Sequence, residues 1–136
     1  VACAAAGASV CHVDAAKGHG GLGQGKRPVS GLQDAHPLIV DDCAKFVERE
    51  IRRGKTYDAI IMDPPSMAGP GGEVWKLEEN LYSFVKLCAG VLSEALFVLI
   101  NSYTTGLAPS VLGYLLHLLV AEKFGGKCTW MSWGFR

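Results

Sequence analysis

The tetrapeptide Asp63-Pro64-Pro65-Ser66 follows directly on the apolar run Tyr57-Asp58-Ala59-Ile60-Ile61-Met62. A strand that ends in an acid and two prolines delivers a carboxylate to a stiff turn. Proline fixes φ and carries no N–H, so two in succession stop the strand and leave carbonyls without a ladder partner. Asp63 and the carbonyls of Pro64 and Pro65 then form a compact set of hydrogen-bond acceptors, suited to an amino group. The same residues also read as a plain turn closing a core strand. Two further acids sit where they could do chemistry: Asp14 after Ser9-Val10-Cys11-His12-Val13, and Asp42 at the head of a helical pattern. Asn101, Ser102 and Tyr103 follow the run Leu96-Phe97-Val98-Leu99-Ile100, where they either line a substrate pocket or cap the strand.

These residues need elements to hold them. Val1 to Ala6 reads as a helix end with Gly7 as its C-cap, and Ser9 to Val13 as a short strand stopped by Asp14. Leu38-Ile39-Val40 is a second strand. A helix is predicted from Asp42 to Arg53, with acids at its start, Arg52 and Arg53 at its end and Gly54 to stop it. The Tyr57 to Met62 strand comes next. A helix is predicted from about Glu73 to Leu92, because Val74, Leu77, Leu81, Phe84, Cys88 and Val91 recur at spacings of three and four. Leu96 to Ile100 is apolar throughout, as expected of a parallel strand covered on both faces. Pro109 opens a helix running to about Phe124. Strands alternating with helices predict an α/β fold with a mostly parallel, doubly wound sheet, in which ligands bind beyond the carboxyl ends of the strands.

The 136 residues suffice for one domain, and their 13 basic and 13 acidic side chains produce no global basic field to announce nucleic acid. Cys3, Cys11, Cys43, Cys88 and Cys128 form no C-x-x-C pair and read as buried thiols in a reducing compartment; no metal site is expected. No apolar stretch is long enough for a membrane span, and the apolar N-terminus lacks the basic flank of a signal peptide, so a cytoplasmic protein without membrane contact is expected.

Taken in order, Ala8 to Lys17, Ser30-Gly31-Leu32, Asp41 to Val47, Tyr57 to Ser66 and Gly72 to Leu77 resemble the class I S-adenosylmethionine-dependent methyltransferases related to the bacterial large-subunit ribosomal RNA enzymes. The resemblance implies a Rossmann-like fold, S-adenosylmethionine as cofactor and an RNA substrate. It implies that Asp14 and Ala15 meet the cofactor ribose, that Asp42 and Cys43 lie near the adenine, and that Asp63 and Pro64 hold the target group beside the methyl. Ser66, Asn101 and Tyr103 would line the substrate site, with Trp75 and Lys76 as candidates to stack on and steer RNA or simply to pack. Asp14 also suits a nicotinamide-dependent oxidoreductase, and Asp42 a helix N-cap. A C5-pyrimidine mechanism needs a cysteine nucleophile, and none lies beside the Asp63 turn, which favours a nitrogen target.

The family's first strand and glycine-rich loop fall upstream of Val1 in this comparison, so the domain is expected to be incomplete at its N-terminus and its sheet to be split into two halves. A non-catalytic fragment is the corresponding alternative. Gly18 to Pro28, with five glycines in its first eight residues, replaces the family's helix. Its G-x-G-x-x-G and near-P-loop matches fail, the first lying too far past Asp14 and the second having Arg27 where a hydroxyl belongs. Codons chosen for His19 to Pro28, read one base later, spell Met-Val-Ala-Trp-Ala-Lys-Glu-Asn-Ala, a good helix. Codons for Cys128 to Trp133, shifted by one base in the opposite sense, spell Val-Tyr-Val-Asp-Glu-Leu, which alternates as an edge strand does. A shifted frame at 18–28 and 128–133 is therefore one reading; a glycine loop and an aromatic tail are the other.

Overall fold

A computed structural model describes residues 2–15, 38–68 and 75–131, with backbone only for Leu38, Ala95 and Leu96. The glycine-rich segment 18–28, Ser30 to Leu32, Gly72 to Val74 and the end of the tail lie outside the described residues. The chain divides into two compact units, Val1–Arg49 and Glu50–Arg136.

The first unit holds helix α1 (Ala2–Ala5), strand β1 (His12–Asp14), strand β2 (Leu38–Val40) and the start of helix α2 (Cys43–Arg52). Helix α1 ends as its sequence predicts. Gly7 takes φ +90°, Ala8 N–H donates to Cys3 O at 3.0 Å and Gly7 N–H to Ala4 O at 3.0 Å, the paired bonds of a Schellman motif. Strand β1 is shorter than predicted and includes Asp14. It pairs in parallel with β2, His12 opposite Leu38 and Asp14 opposite Val40. Helix α2 begins at an Asp42 cap, whose Oδ1 accepts the Lys45 N–H at 3.0 Å.

The second unit begins inside α2, which closes with a second Schellman motif. Gly54 has φ +66°, with Lys55 N–H on Glu50 O at 3.0 Å and Gly54 N–H on Ile51 O at 3.0 Å. Strand β3 (Tyr57–Met62) follows, then β4 (Met67–Ala68), β5 (Trp75–Lys76), helix α3 (Leu77–Ala89) and strand β6 (Leu92–Ile100). Strands β3 and β6 pair in parallel from Ala59↔Phe97 to Met62↔Ile100, with an irregularity after Tyr57↔Leu92. Strands β4 and β5 pair antiparallel. Among the described residues no strand joins the β1–β2 pair to the β3–β6 pair.

Several predicted elements are corrected. The α3 pattern starts at Leu77 and not Glu73, because Trp75 and Lys76 are extended and pair with Met67 and Ala68. It stops at Ala89, and Val91 and Leu92 lead into a longer β6. Buried apolar side chains in this unit come from Leu77, Leu81, Val85, Cys88 and Ala89 of α3, with Met62, Val91 and Leu92. Coverage of β6 on both faces does not hold: Phe97 and Leu99, with Ile61 on the same face of the pair, are about half exposed at 48%, 52% and 57%. Nor are the cysteines uniformly buried; of the five, only Cys88 is fully enclosed.

The last predicted helix is present, but not as one regular coil. Helix α4 (Pro109–Leu116), with proline in its first turn, passes into a π-helical turn at His117–Ala121 and a final turn, α5 (Glu122–Phe124). Gly125 and Gly126, both at positive φ, end it. The described part of the aromatic tail, up to Met131, forms no strand.

Candidate functional site

In the second unit the register Met62↔Ile100 brings both chains off the sheet at one edge, so Asp63 lies beside Asn101. Asn101 N–H donates to Met62 O at 2.9 Å, and its side-chain amide reaches Asp63 Oδ1 in a long contact of 3.4 Å. Asp63 is exposed and Pro64 half-buried.

The turn is tied down on three sides. The Trp75 indole N–H donates to the Pro65 carbonyl at 2.9 Å, and the Trp75 ring stands edge-on against Phe84 of α3, centroids 5.5 Å apart at 85°. Leu77 N–H, at the start of α3, donates to Ser66 O at 2.9 Å. Ser66 Oγ and Thr104 Oγ1 share a hydrogen bond of 2.7 Å. The proline turn is thus tied to β5, to α3 and to the segment after β6. Among the described residues the Pro64 carbonyl accepts no hydrogen bond. Asp63 and Pro64 O are therefore the acceptors left for an incoming group, while one lone pair of Pro65 O is already taken.

Sequence reasoning did not single out Thr104, nor the Trp75 bond to Pro65. A threonine four residues past a strand carries no pattern of its own, and the apolar spacing over 73–92 places Trp75 in a helix. Tyr103 is 83% exposed, available to a substrate but not packed into the turn. Lys76 pairs with Glu79 at 2.9 Å, which holds its ammonium pKa above the usual lysine value.

In the first unit Asp14, Ala15, Asp42 and Cys43 come together at the carboxyl ends of β1 and β2, because the parallel pair continues with Asp41 N–H donating to Asp14 O at 3.1 Å. Asp42 serves the α2 cap through Oδ1, and its Oδ2 takes no part in that bond. The cap and cofactor readings of Asp42 are thus compatible. Cys43 Sγ lies 3.8 Å from Val13 O; burial, then the nearby Asp42, Asp14 and Asp41 carboxylates, push its thiol pKa up, so it stays a neutral thiol. Asp41 pairs with Arg49, whose guanidinium holds its carboxyl below the usual range. Of the first-turn N–H groups of α2, that of Lys45 is taken by Asp42 Oδ1, while those of Cys43 and Ala44 have no acceptor within the helix. Carboxylates at strand ends next to these two N–H groups put acceptors and donors at one edge.

Parallel strands alternate with helices, an acid ends β1 and an Asp-Pro-Pro-Ser turn follows β3. Solved structures share this fold. The chain is similar to a SAM-dependent methyltransferase from Agrobacterium tumefaciens, 38% identical over 83% of this chain, with a TM-score of 0.73. It shares its fold with a methyltransferase designated SMU.776, solved with SAH (24% identity, 79% of this chain, TM-score 0.62), and with one described as a SAM-dependent methyltransferase from Streptococcus mutans (24%, 79%, 0.65). The chain spans 37%, 28% and 27% of those three chains. No family model and no curated protein matches it. In sequence and fold the chain resembles a segment of the SAM-dependent methyltransferases.

Proposed function

We propose that this chain is part of a SAM-dependent methyltransferase acting on a nitrogen atom of RNA, with ribosomal RNA as the substrate class its resemblance favours. The observation that carries this is the pinned Asp63-Pro64-Pro65-Ser66 turn beside Asn101, in a chain 38% identical over 83% of its length to a SAM-dependent methyltransferase.

When bound, the cofactor supplies an electrophilic methyl. Asp14 and Ala15 would meet its ribose, and Asp42 and the Cys43 N–H its adenine. Asp63 and the Pro64 carbonyl would accept the two hydrogens of an amino group and turn its lone pair toward the methyl. Positioning of this kind supplies most of the rate in a direct displacement. The Asp63 carboxylate would also be placed to take the proton the nitrogen sheds. Asn101 would hold Asp63 in place, and Ser66 and Tyr103 would border the target.

Calorimetry with SAH and, separately, NADH tests the cofactor reading: SAH binds and NADH does not, and Asp14→Asn weakens SAH. Binding of NADH instead would establish the oxidoreductase alternative, and binding of neither would leave a non-catalytic fragment. Tritiated methyl transfer into RNA tests the substrate. Asp63→Ala should lower that transfer by about 100-fold, the usual cost of losing the geometry of attack.

A further inference from the structure

At the far end of the second unit the chain forms a cleft of about 500 Å³ that the methyltransferase reading does not use. Its walls are the last helix and the tail, including Ser110, Tyr114, His117, Lys127, Thr129 and Trp130. That volume is in the range of small-ligand pockets. We propose that it is a stacking site for a nucleobase of single-stranded nucleic acid.

Three independent features point this way. Tyr114 and Trp130 are two large aromatic side chains of one cleft, left 64% and 56% exposed. Trp130 is nonetheless seated: a Cβ on Gly113 would lie 2.4 Å from its Cε3, so α4 carries glycine where the indole rests against the helix. An aromatic ring held in place yet open to solvent is a stacking platform, and every base has a face to offer it. The charge is also right. Lys127 and His117 line the cleft and, among the described residues, no carboxylate does, which suits a phosphate following the stacked base. Finally, the π turn starts at His117, in the cleft wall, and such turns are rare and concentrated at functional sites.

The site rests on the RNA reading only for its biology; its chemistry would take a base from a free nucleotide or from a strand. The test is anisotropy of a labelled single-stranded RNA octamer of adenylates titrated with the full chain. Tyr114→Ala and Trp130→Ala should each weaken binding by at least about fivefold, the lower end for loss of one stacked base. Trp130→Phe, which keeps a ring, should restore most of the affinity, and Lys127→Ala should lower the salt slope by about one. Competition by AMP as effective as the octamer would assign the site to free nucleotides. Saturating SAH should not displace the octamer. Absence of octamer binding, binding indifferent to both aromatic changes, or displacement by SAH would each overturn the proposal. SAH binding without octamer binding would leave the methyltransferase reading intact.

Discussion

Tyr57 and Arg53 converge on one buried acid. The Tyr57 hydroxyl donates to Glu50 Oε2 at 2.7 Å, while Arg53 Nη1 donates to Oε1 at 3.0 Å, so the carboxylate of a residue only 7% exposed is held from both oxygens. These bonds, Tyr57 first, keep the Glu50 carboxyl below its ordinary 4.5. A folded state that binds this proton less tightly than the unfolded chain gains stability as pH rises through the ordinary glutamate range. It loses that stability as pH falls through the lowered value. The urea midpoint should therefore drop as pH falls through and below the ordinary glutamate range, and Glu50→Gln should flatten the drop. Tyr57→Phe should cost about 1 to 2 kcal/mol near pH 7 by leaving an enclosed carboxylate short of a donor, measured in the same urea titrations. Trp75→Phe keeps the ring against Phe84 and removes the N–H from Pro65 O. It should lower methyl transfer more than thermal stability if the turn's orientation matters to catalysis.

Elements differ in how plainly their sequences announce them. Helix α2 was legible end to end because its cap, its charges and Gly54 all act locally. Gly54→Ala should cost about 1 kcal/mol by forcing a side chain into the left-handed region, and Asp42→Ala about as much by removing the cap, both readable as thermal shifts. The β4–β5 pair was not legible, since two-residue strands are too short to carry a period. Trp75 consequently looked helical, on apolar spacing that in fact begins at Leu77. The π turn left no mark either: His117-Leu118-Leu119-Val120-Ala121 is as apolar as the helix before it, and backbone register does not show in composition. Of the site, Asp63 to Ser66 and Asn101 could be found because they end strong strands. Thr104 could not, because its role depends on which loop the sheet register places opposite Ser66.

At the scale of the whole chain, alternation of strands and helices was enough to specify a doubly wound α/β fold, and continuous apolar runs marked β3 and β6. What they could not say is how well each face is covered, because a run apolar on both sides looks the same whether or not something lies over it. Ile61, Phe97 and Leu99 leave one face of the pair half exposed. Uncovered apolar sheet favours association and binding of hydrophobic dyes. The full chain should therefore bind 8-anilinonaphthalenesulfonate and sediment with concentration-dependent mass. Leu99→Thr should reduce both effects, and a strictly monomeric, dye-free chain would show that face to be closed in solution. Among the described residues no helix is long and apolar enough to cross a membrane.

The π turn at His117–Ala121 holds one residue more than the α-helical path it interrupts. An insertion of one codon is the simplest way to acquire such a turn, and a deletion of one codon the simplest way to lose it. Taking out Leu119 would let α4 and α5 join as an unbroken α-helix with the chain beyond held close to its present path, because the residue removed is the one the wider turn absorbs. A one-residue deletion at this point should therefore be tolerated, where the same deletion in a regular helix would turn everything beyond by about 100° and draw it back by about 1.5 Å.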